Sequence, residues 1–257
     1  MPDYEIKTRS LPITNEKVLA ILSRYRPWSG KILDLGAGEG YLTSLIAEKI
    51  REAGIDSPKG HLYACDIYPD DFKFKDITAE FCDFNSSLPY EDGMFDAVCS
   101  VEVIEHLENA HHFVQEIYRV LKPGGVAIIT TPNVLNIHSR LRYLCTGFPL
   151  LYNPLPLSSR DRQDLGGHIN PISYYYLAYI FTRASYKKIF LHHDKLKKSG
   201  MFHAGLFYLF IKFFEKLIFR GYKKADRAVY QENEPLLRRL NSTSLLLGRT
   251  VIMEAVK

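Results

Sequence analysis

Three glycines alternate in the stretch ILDLGAGEGYL, residues 32–42, behind a short apolar run. Glycine lets the backbone approach a ligand closely, and the first turn of a following helix offers unpaired N–H groups. The spacing is G-x-G-x-G over Gly36, Gly38 and Gly40, and Tyr41 stands where a dinucleotide-binding G-x-G-x-x-G loop has its third glycine. The loop therefore predicts a nucleotide-type site, while the bulky residue argues against tight packing on a pyrophosphate.

Three aspartates stand in or at the ends of apolar runs that are predicted to be consecutive strands. Asp34 lies in the first run, Asp66 closes the second, and Asp83, followed by Phe84, closes the third. A carboxylate in the place of Asp66 can accept hydrogen bonds from both hydroxyls of a ribose. A carboxylate beside an aromatic ring could bind an exocyclic amine while the ring stacks on a purine. Aspartates also start turns, but three of them next to the glycine loop favour ligand binding.

A second group of polar residues follows the fourth predicted strand, in the stretch VEVIEHLEN. Glu102, Glu105 and His106 have E-x-x-E-H spacing, and ligand sites in open α/β sheets form where this stretch emerges. His106 is a candidate general base or substrate contact, and His168, in GGHINP, could join it. Two carboxylates and two imidazoles would also suit a divalent cation. The alternatives are a histidine that packs the following helix and glutamates that bond to the backbone of the turn.

The predicted elements that must position these residues alternate between strand and helix. Strands are predicted at 31–35, 60–69, 77–85, 94–103, 126–133, 186–194 and within 244–257, and helices at 14–25, 41–54, 111–125 and 172–185. Alternation of this kind predicts an α/β fold with a doubly wound, mostly parallel sheet that is covered on both faces.

Two segments depart from this alternation within a single predicted domain, 1–257. Residues 134–172 are rich in Pro, Arg and Gly and predict a partly helical cover over the site, from which His138 and Arg140 could face the pocket. Residues 195–240 predict a helical insertion between the last two strands.

The insertion contains an unusually apolar helical stretch, MFHAGLFYLFIKFFEKLIFRGYKK. Lys212, Lys216 and Arg220 form one basic stripe on it, and its charges recur too often for a membrane span. Residues 201–220 could lie in a membrane interface with their apolar face down, cover the active site, form a homodimer contact or pack on their own domain.

The bulk composition is that of an ordinary soluble protein. The chain is 46% apolar and 24% charged, with a formal net charge of +4. Its four cysteines are scattered without a C-x-x-C pair, so buried free thiols are expected at three of them, Cys65, Cys82 and Cys99. The N-terminal stretch has no apolar run of signal-peptide length, so we expect a cytoplasmic protein, with membrane association as an option.

Four stretches taken together resemble the ordered motifs of class I S-adenosylmethionine-dependent methyltransferases. They are ILDLGAGEGYL, YACDIYP, CDFNSSLPYEDGMFDAVCSVEVIEHLEN and EIYRVLKPGGVAIITTPN, and they cover roughly residues 30–133. The resemblance implies a Rossmann-like fold of seven strands, with the last two as an antiparallel pair at the sheet edge. It also implies S-adenosylmethionine as cofactor, held by a set of residues at the strand ends: Asp34, Gly36, Ala37, Gly38, Gly40, Tyr41, Asp66, Ile67, Asp83, Phe84 and Val101.

The resemblance implies methyl transfer, which we expect to be O-directed and to a small-molecule or lipid-linked acceptor. His106 and His168 are the candidate catalytic residues, and the pattern is similar to bacterial methyltransferases of quinone and cell-surface glycan pathways. A weaker likeness to small-RNA 3′-terminal 2′-O-methyltransferases leaves open a metal-assisted alternative with Glu102, Glu105, His106 and His168 as ligands. A non-catalytic cofactor-binding scaffold is the third option. A divalent metal is not expected. A nucleic-acid partner is not expected either, since the basic residues from 138 to 162, Arg160 and Arg162 included, are too sparse for an RNA groove.

Overall fold

The computed structural model of the protein describes residues 6–158 and 167–257. Within these ranges seven strands form one sheet in the order β3-β2-β1-β4-β5-β7-β6. The strands are β1 (Ile32–Leu35), β2 (Leu62–Asp66), β3 (Ala79–Phe81), β4 (Phe95–Val101), β5 (Leu121–Pro132), β6 (Lys188–His193) and β7 (Thr250–Val256). The pairs among β1 to β5 are parallel, and β7 is antiparallel to both β5 and β6. The predicted α/β fold with an antiparallel last strand is confirmed.

Eight α-helices flank the sheet or follow it within the described ranges. They are α1 (Pro12–Leu22), α2 (Tyr41–Glu52), α3 (Ala110–Val120), α4 (Ile137–Thr146), α5 (Tyr174–Arg183), α6 (Ser199–Ala225), α7 (Arg227–Leu237) and α8 (Thr243–Leu247). Helices α1 and α2 contribute to the apolar cluster on one face of the sheet, and α3 and α5 to the cluster on the other.

The central strands supply alternate residues to these two clusters. Ile32 packs with α1 and α2, whereas its neighbour Leu33 packs with α3 and α5. Ile128 and Ile129 divide in the same way. Successive side chains of a strand point to opposite faces, so a strand covered on both sides reads as a continuous apolar run. The burial of Cys65, Cys82 and Cys99 as free thiols is confirmed.

The boundary between α3 and β5 lies earlier than the sequence pattern predicts. The helix ends at Val120 and β5 begins at Leu121, whereas the prediction places the helix end at residue 125. Pro123 has no N–H and clashes with a preceding helical turn, so α3 ends before it. Leu121 then pairs with Phe95, and the register shifts before the regular ladder resumes at Ala97.

Helices α6, α7 and α8 lie between β6 and β7. Ala204, Phe207 and Ile211 of α6 pack against Ile137 of α4 and Leu246 of α8. The rest of α6 is largely exposed. The division of the chain into a cover, 134–172, and an insertion, 195–240, with separate roles stays a prediction. Across the described part of the chain, no helix combines the length and apolar content that crossing a bilayer requires.

Replacing Phe113 by alanine should destabilise the fold by about 3–5 kcal/mol, because its fully buried ring lies in the larger apolar cluster and leaves a cavity there. Urea unfolding followed by circular dichroism measures the loss. Phe202→Ala is the matched control, since that ring is 74% exposed and its removal should change stability by less than about 0.5 kcal/mol. Equal losses for the two variants would contradict the assigned core.

Candidate active site

The glycine loop joins β1 to α2 in a conformation that needs its glycines. Gly36, Gly38 and Gly40 have φ of 80°, 54° and 95°. A Cβ on Gly36 would lie 2.2 Å from Cγ2 of Val103, and one on Gly40 would lie 2.9 Å from ring atom Cε2 of Phe72. A Cβ on Gly38 would meet nothing within 4 Å. The loop is therefore packed at its two ends and open in the middle.

Asp66 ties this loop to the end of β2. Its carboxylate accepts hydrogen bonds from the backbone N–H of Gly38, at 2.8 Å, and of Tyr68, at 2.9 Å. The residue is only 9% exposed, and each of its oxygens is bonded to one backbone donor. A carboxylate oxygen can accept a second hydrogen bond, so Asp66 could also bind hydroxyl groups of a ligand above the loop.

Asp34 lies beneath the loop, in β1. It is almost fully buried, and the Thr43 hydroxyl of α2 donates a hydrogen bond to it at 2.6 Å. Burial raises the pKa of Asp34 to about 7, and the nearby Asp66 carboxylate acts in the same direction, while the Thr43 hydrogen bond opposes them. The site thus contains a buried carboxyl group that titrates near neutral pH.

The third predicted acid also lies at a strand end, but its aromatic neighbour serves the core. Asp83 follows β3 and is half-buried, and its Oδ1 accepts a hydrogen bond from the backbone N–H of Asn85 at 3.0 Å. Phe84 is only 5% exposed and packs against Phe113, with the ring centroids 5.7 Å apart. The ring of Phe84 thus belongs to the larger apolar cluster in this structure, and its stacking on a purine stays a prediction.

The other residues predicted to bind the cofactor border the same edge. Ala37 lies in the loop, with its N–H bonded to the Cys65 carbonyl at 3.2 Å, and Tyr41 begins α2. Ile67 directly follows β2, and Val101 ends β4. Because β3, β2, β1 and β4 are neighbours and parallel, their carboxyl ends form one continuous rim.

Glu102 occupies a strained position just past β4. Its backbone angle φ is +54°, in a region that residues other than glycine rarely adopt. Its carboxylate lies 3.4 Å from Nη1 of Arg249 and 3.4 Å from the Thr250 hydroxyl. Arg249 also approaches Asp194 at 3.4 Å. Burial raises the pKa of Glu102, and the charge of Arg249 opposes the rise.

Three of the four residues of the predicted E-x-x-E-H…H group come together. One ligand atom each of Glu105, His106 and His168 lies within 4.8 Å of the others, whereas Glu102 faces Arg249. Glu105 is fully buried, and neither of its carboxyl oxygens has a hydrogen-bond partner among the described residues. The Nδ1 atom of His168 is likewise buried without one. Burial raises the pKa of Glu105 to about 8, and burial beside His106 lowers the pKa of His168 to about 4.

The end of the cover is fixed to this cluster by its backbone. The Glu105 carbonyl accepts hydrogen bonds from the N–H groups of Ile169, at 3.0 Å, and Asn170, at 2.9 Å. Nδ1 of His106 lies 3.1 Å from the Gly167 carbonyl. A carbonyl oxygen can only accept, so Nδ1 carries the proton and Nε2 is the acceptor nitrogen of His106.

Two other residues predicted to face the pocket are turned towards the helices that precede β7. The Arg140 guanidinium donates to the Leu135 and Leu240 carbonyls, each at 2.6 Å. The His138 ring lies 5.1 Å from the ring of His203 in α6. The expectation that His138 and Arg140 reach the pocket from the cover is therefore not met. Arg160 and Arg162 lie outside the described residues.

Sequence reasoning missed Arg249 and Tyr152. Arg249 directly precedes β7, and an antiparallel last strand begins at the rim where its parallel neighbour β5 ends. That topology was the available signal for Arg249. Tyr152 lies with its ring 5.1 Å from that of His168, and its hydroxyl donates to the Asn170 carbonyl at 3.1 Å. No motif marks it.

Asp34→Asn should reduce the dependence of folding stability on pH. A carboxyl group whose pKa rises from about 4 to about 7 on folding stabilises the protein below pH 4, and this contribution is lost as the pH rises through 7. From pH 4 to pH 7 the free energy of unfolding should fall by about 1–4 kcal/mol more in the wild type than in the variant. Urea unfolding across that pH range measures the difference. Asp71→Asn is the control, because its carboxylate lies on the surface beside Arg9. An unchanged pH profile in Asp34→Asn would refute the assignment.

Comparison with known proteins finds methyltransferases. Residues 33–129 match the family described as "Methyltransferase domain". A protein of Mycolicibacterium smegmatis named "Probable S-adenosylmethionine-dependent methyltransferase" is 32% identical over 153 residues, which are 51% of this chain and 55% of that protein. The mitochondrial ubiquinone biosynthesis O-methyltransferase of Rattus norvegicus is 32% identical over 139 residues, 51% of this chain and 40% of that protein. The chain thus spans about half the length of the curated relatives it matches.

A solved structure extends the likeness of the fold to nearly the whole chain. The crystal structure of a SAM-dependent methyltransferase from Archaeoglobus fulgidus superposes with a TM-score of 0.55 at 19% identity, covering 95% of this chain and 94% of that one. At that identity the superposition supports the fold alone. The family match over residues 33–129, the relatives and this fold together support a class I S-adenosylmethionine-dependent methyltransferase domain in the chain.

Proposed function

We propose that the protein transfers a methyl group from S-adenosylmethionine to a hydroxyl oxygen of a small-molecule or lipid-linked acceptor. The observation that carries the proposal is the open space above Gly38. The N–H of Gly38 bonds to Asp66 at the end of β2, and Val103, just past β4, lies against Gly36 of the same loop. The family match supports the cofactor, and the O-methyltransferase of rat that the chain resembles supports oxygen as the acceptor atom.

The residues present fit this cofactor. The N–H-rich loop around Gly38 would lie against its methionine and ribose portions, Asp66 would bind the ribose and Asp83 the adenine. When bound, the cofactor supplies a methyl group that its sulfonium makes electrophilic. The carboxylate of Asp66, which bonds directly to the loop, favours a ligand that carries positive charge.

The buried group formed by Glu105, His106 and His168 suits a hydroxyl acceptor. An atom placed among three ligand atoms no more than 4.8 Å apart can lie within about 2.8 Å of each, which is a hydrogen-bond distance. One hydroxyl oxygen could therefore bond to Glu105 and His168, whose carboxyl oxygens and Nδ1 have no hydrogen-bond partner among the described residues. In this role the group aligns the acceptor with the methyl group and holds it away from water.

The protonation states support His106 as the proton acceptor. With a pKa of about 8, Glu105 is mostly protonated at neutral pH and can donate to the acceptor oxygen or to a histidine. With a pKa of about 4, His168 is neutral there. His106 keeps its proton on Nδ1 through the Gly167 carbonyl, so Nε2 is the nitrogen that would take the hydroxyl proton.

The same cluster favours a second candidate, metal-assisted methylation of an RNA 3′ end. A divalent ion could bind Glu105, His106 and His168 and activate a hydroxyl oxygen. Bonds of about 2.0–2.3 Å would require the three side chains to move closer together than a shared hydrogen-bonded oxygen does. Glu102 would have to leave Arg249 to join them. The hydroxyl-binding arrangement needs neither movement, and for that reason the first function is preferred.

Gly38→Ala should weaken binding of S-adenosylhomocysteine by at least about tenfold, because the new methyl group would occupy the space proposed for the cofactor. Isothermal titration calorimetry measures the affinity. Gly54→Ala is the matched control: Gly54 also has positive φ and open space around its Cβ position, but lies beyond the end of α2. Both variants should lose roughly 1 kcal/mol of stability through backbone strain. Equal affinities in the two variants would contradict the cofactor position.

Methyl transfer itself can be followed with radiolabelled S-adenosylmethionine and separated lipid, glycan, RNA and small-molecule fractions, with and without EDTA. We expect label in the lipid or small-molecule fraction that EDTA does not abolish. His106→Ala should lower the rate of methyl transfer by about 100-fold without changing the affinity for S-adenosylhomocysteine. His111→Ala is the control: His111 is exposed on α3, and its replacement should change neither the rate nor the affinity.

Two outcomes would contradict this proposal. Label in small RNA that EDTA removes and a divalent ion restores would establish the metal-assisted reaction. Cofactor binding without label in any fraction would favour a non-catalytic scaffold.

A further inference from the structure

Helix α6 is long and touches the rest of the protein along a narrow stripe. Its 27 residues extend roughly 40 Å. Only Gly200 and Ala204 are buried, and Phe207 and Ile211 are half-buried against α4 and α8. A helix of this length that packed fully on its domain would bury an apolar stripe along all its turns.

The opposite face of the first half of α6 is apolar and exposed. Phe202, Leu206, Leu209 and Phe213 recur at helical spacing, so they lie on one side of the helix. Each of them is at least 60% exposed, and Leu209 reaches 79%. Neighbouring Phe210 widens the surface. A contiguous apolar patch of this kind rarely stays exposed to water and marks a binding surface.

The second half of α6 is basic. Lys212 pairs with Glu215 of the same helix at 3.0 Å, and Asn241 also bonds to that carboxylate. The four cations that follow, Lys216, Arg220, Lys223 and Lys224, form no ion pair with any described residue. The helix thus presents an aromatic and aliphatic surface that continues into unpaired positive charge.

A second copy of the chain does not complement this surface. In a parallel pair of α6 helices the four cations of each would meet those of the other, and like charges in contact are destabilising. In an antiparallel pair they would be buried against Phe202 and Leu206 of the partner without counter-ions, which costs more. A bilayer with anionic headgroups offers acyl chains to the apolar half and phosphates to the basic half.

We propose that α6 binds the surface of an anionic lipid bilayer, with Phe202, Leu206, Leu209 and Phe213 inserted among the acyl chains and the basic end at the headgroups. The helix lies in the interface with its apolar half deeper than its basic end, since Lys216 and Arg220 share the side of the helix that carries Phe202. The surface is separate from the cofactor loop, so bilayer binding can be tested independently of the proposed methyl transfer.

Tryptophan fluorescence tests the insertion. The chain contains one tryptophan, Trp28, far along the sequence from α6. Phe213→Trp should give a blue-shifted emission when vesicles of phosphatidylcholine and phosphatidylglycerol are added, because the new indole leaves water. Tyr176→Trp, at an exposed aromatic position of α5, is the matched control and should give no shift. A shift in neither variant, or in both alike, would overturn the proposal.

Co-sedimentation with the same vesicles tests the two halves of the helix separately. The double variant Leu209→Glu and Phe213→Glu should lose binding, and Tyr176→Glu should retain it. Lys216→Gln with Arg220→Gln should weaken binding roughly 25-fold, since each basic residue near an anionic surface contributes a factor of about five. Vesicles of phosphatidylcholine alone should bind the wild type more weakly by at least that factor.

Three further results decide between membrane and other partners. Calorimetry should give wild-type affinity for S-adenosylhomocysteine in every α6 variant, which separates this proposal from the proposed catalytic function. Absence of vesicle binding by the wild type overturns the membrane assignment. If sedimentation velocity instead shows a dimer that Leu209→Glu dissociates, and vesicles do not bind, the surface joins two copies of the chain.

Discussion

The contact between the Asp66 carboxylate and the backbone N–H of Gly38 sets the geometry on which the site depends. It joins the end of β2 to the loop that leaves β1, and it does so across two neighbouring parallel strands. Glycine-rich loops can adopt many backbone conformations. The hydrogen bond to Asp66 favours the one in which the Gly38 N–H is directed towards β2. The carboxylate therefore fixes the opening in which a ligand can lie, and it also places a negative charge beside that opening.

The second constraint is the number of carboxyl groups that this rim keeps out of water. Asp34, Glu102 and Glu105 all have raised pKa values because burial disfavours their charged forms. Burying an acid costs free energy even when it has a partner, as Asp34 and Glu102 do, and the Glu105 carboxyl has none among the described residues. The three acids lie near the carboxyl ends of β1 and β4, where ligand sites form in such sheets. Their position is consistent with a loss of stability that ligand binding requires. A positively charged cofactor and a hydroxyl acceptor would each relieve part of it.

Much of the fold, and the position of the glycines and acids along the rim of strand ends, could be predicted from local sequence, because short apolar runs, glycines and terminal acids act through neighbouring backbone. The loop and the acids at the ends of β1, β2 and β3 are examples. The contacts that local sequence did not indicate join distant segments. Phe84 was expected to stack on a ligand, and in this structure its ring packs against Phe113 of α3. Arg140 was expected in the pocket, but the backbone at Leu240 accepts its guanidinium. A local sequence pattern does not specify which residue from a distant segment contacts such a side chain in the folded protein.

The connection between α6 and the rim gives the two proposed surfaces a physical relation. Helix α4 begins just after β5, whose carboxyl end lies beside that of β4, and Ile137 of α4 packs against Ala204 of α6. Leu246 and Leu247 of α8 belong to the same apolar cluster, so α6 rests on both α4 and α8. An acceptor anchored in a bilayer under α6 would have to rise out of the acyl region to approach the cluster around Glu105. A polar head on a flexible lipid chain can make that movement, whereas a rigid acceptor embedded in the acyl region cannot. On this geometry, a lipid-linked acceptor would carry its reactive hydroxyl on the water-exposed head rather than in the buried chain.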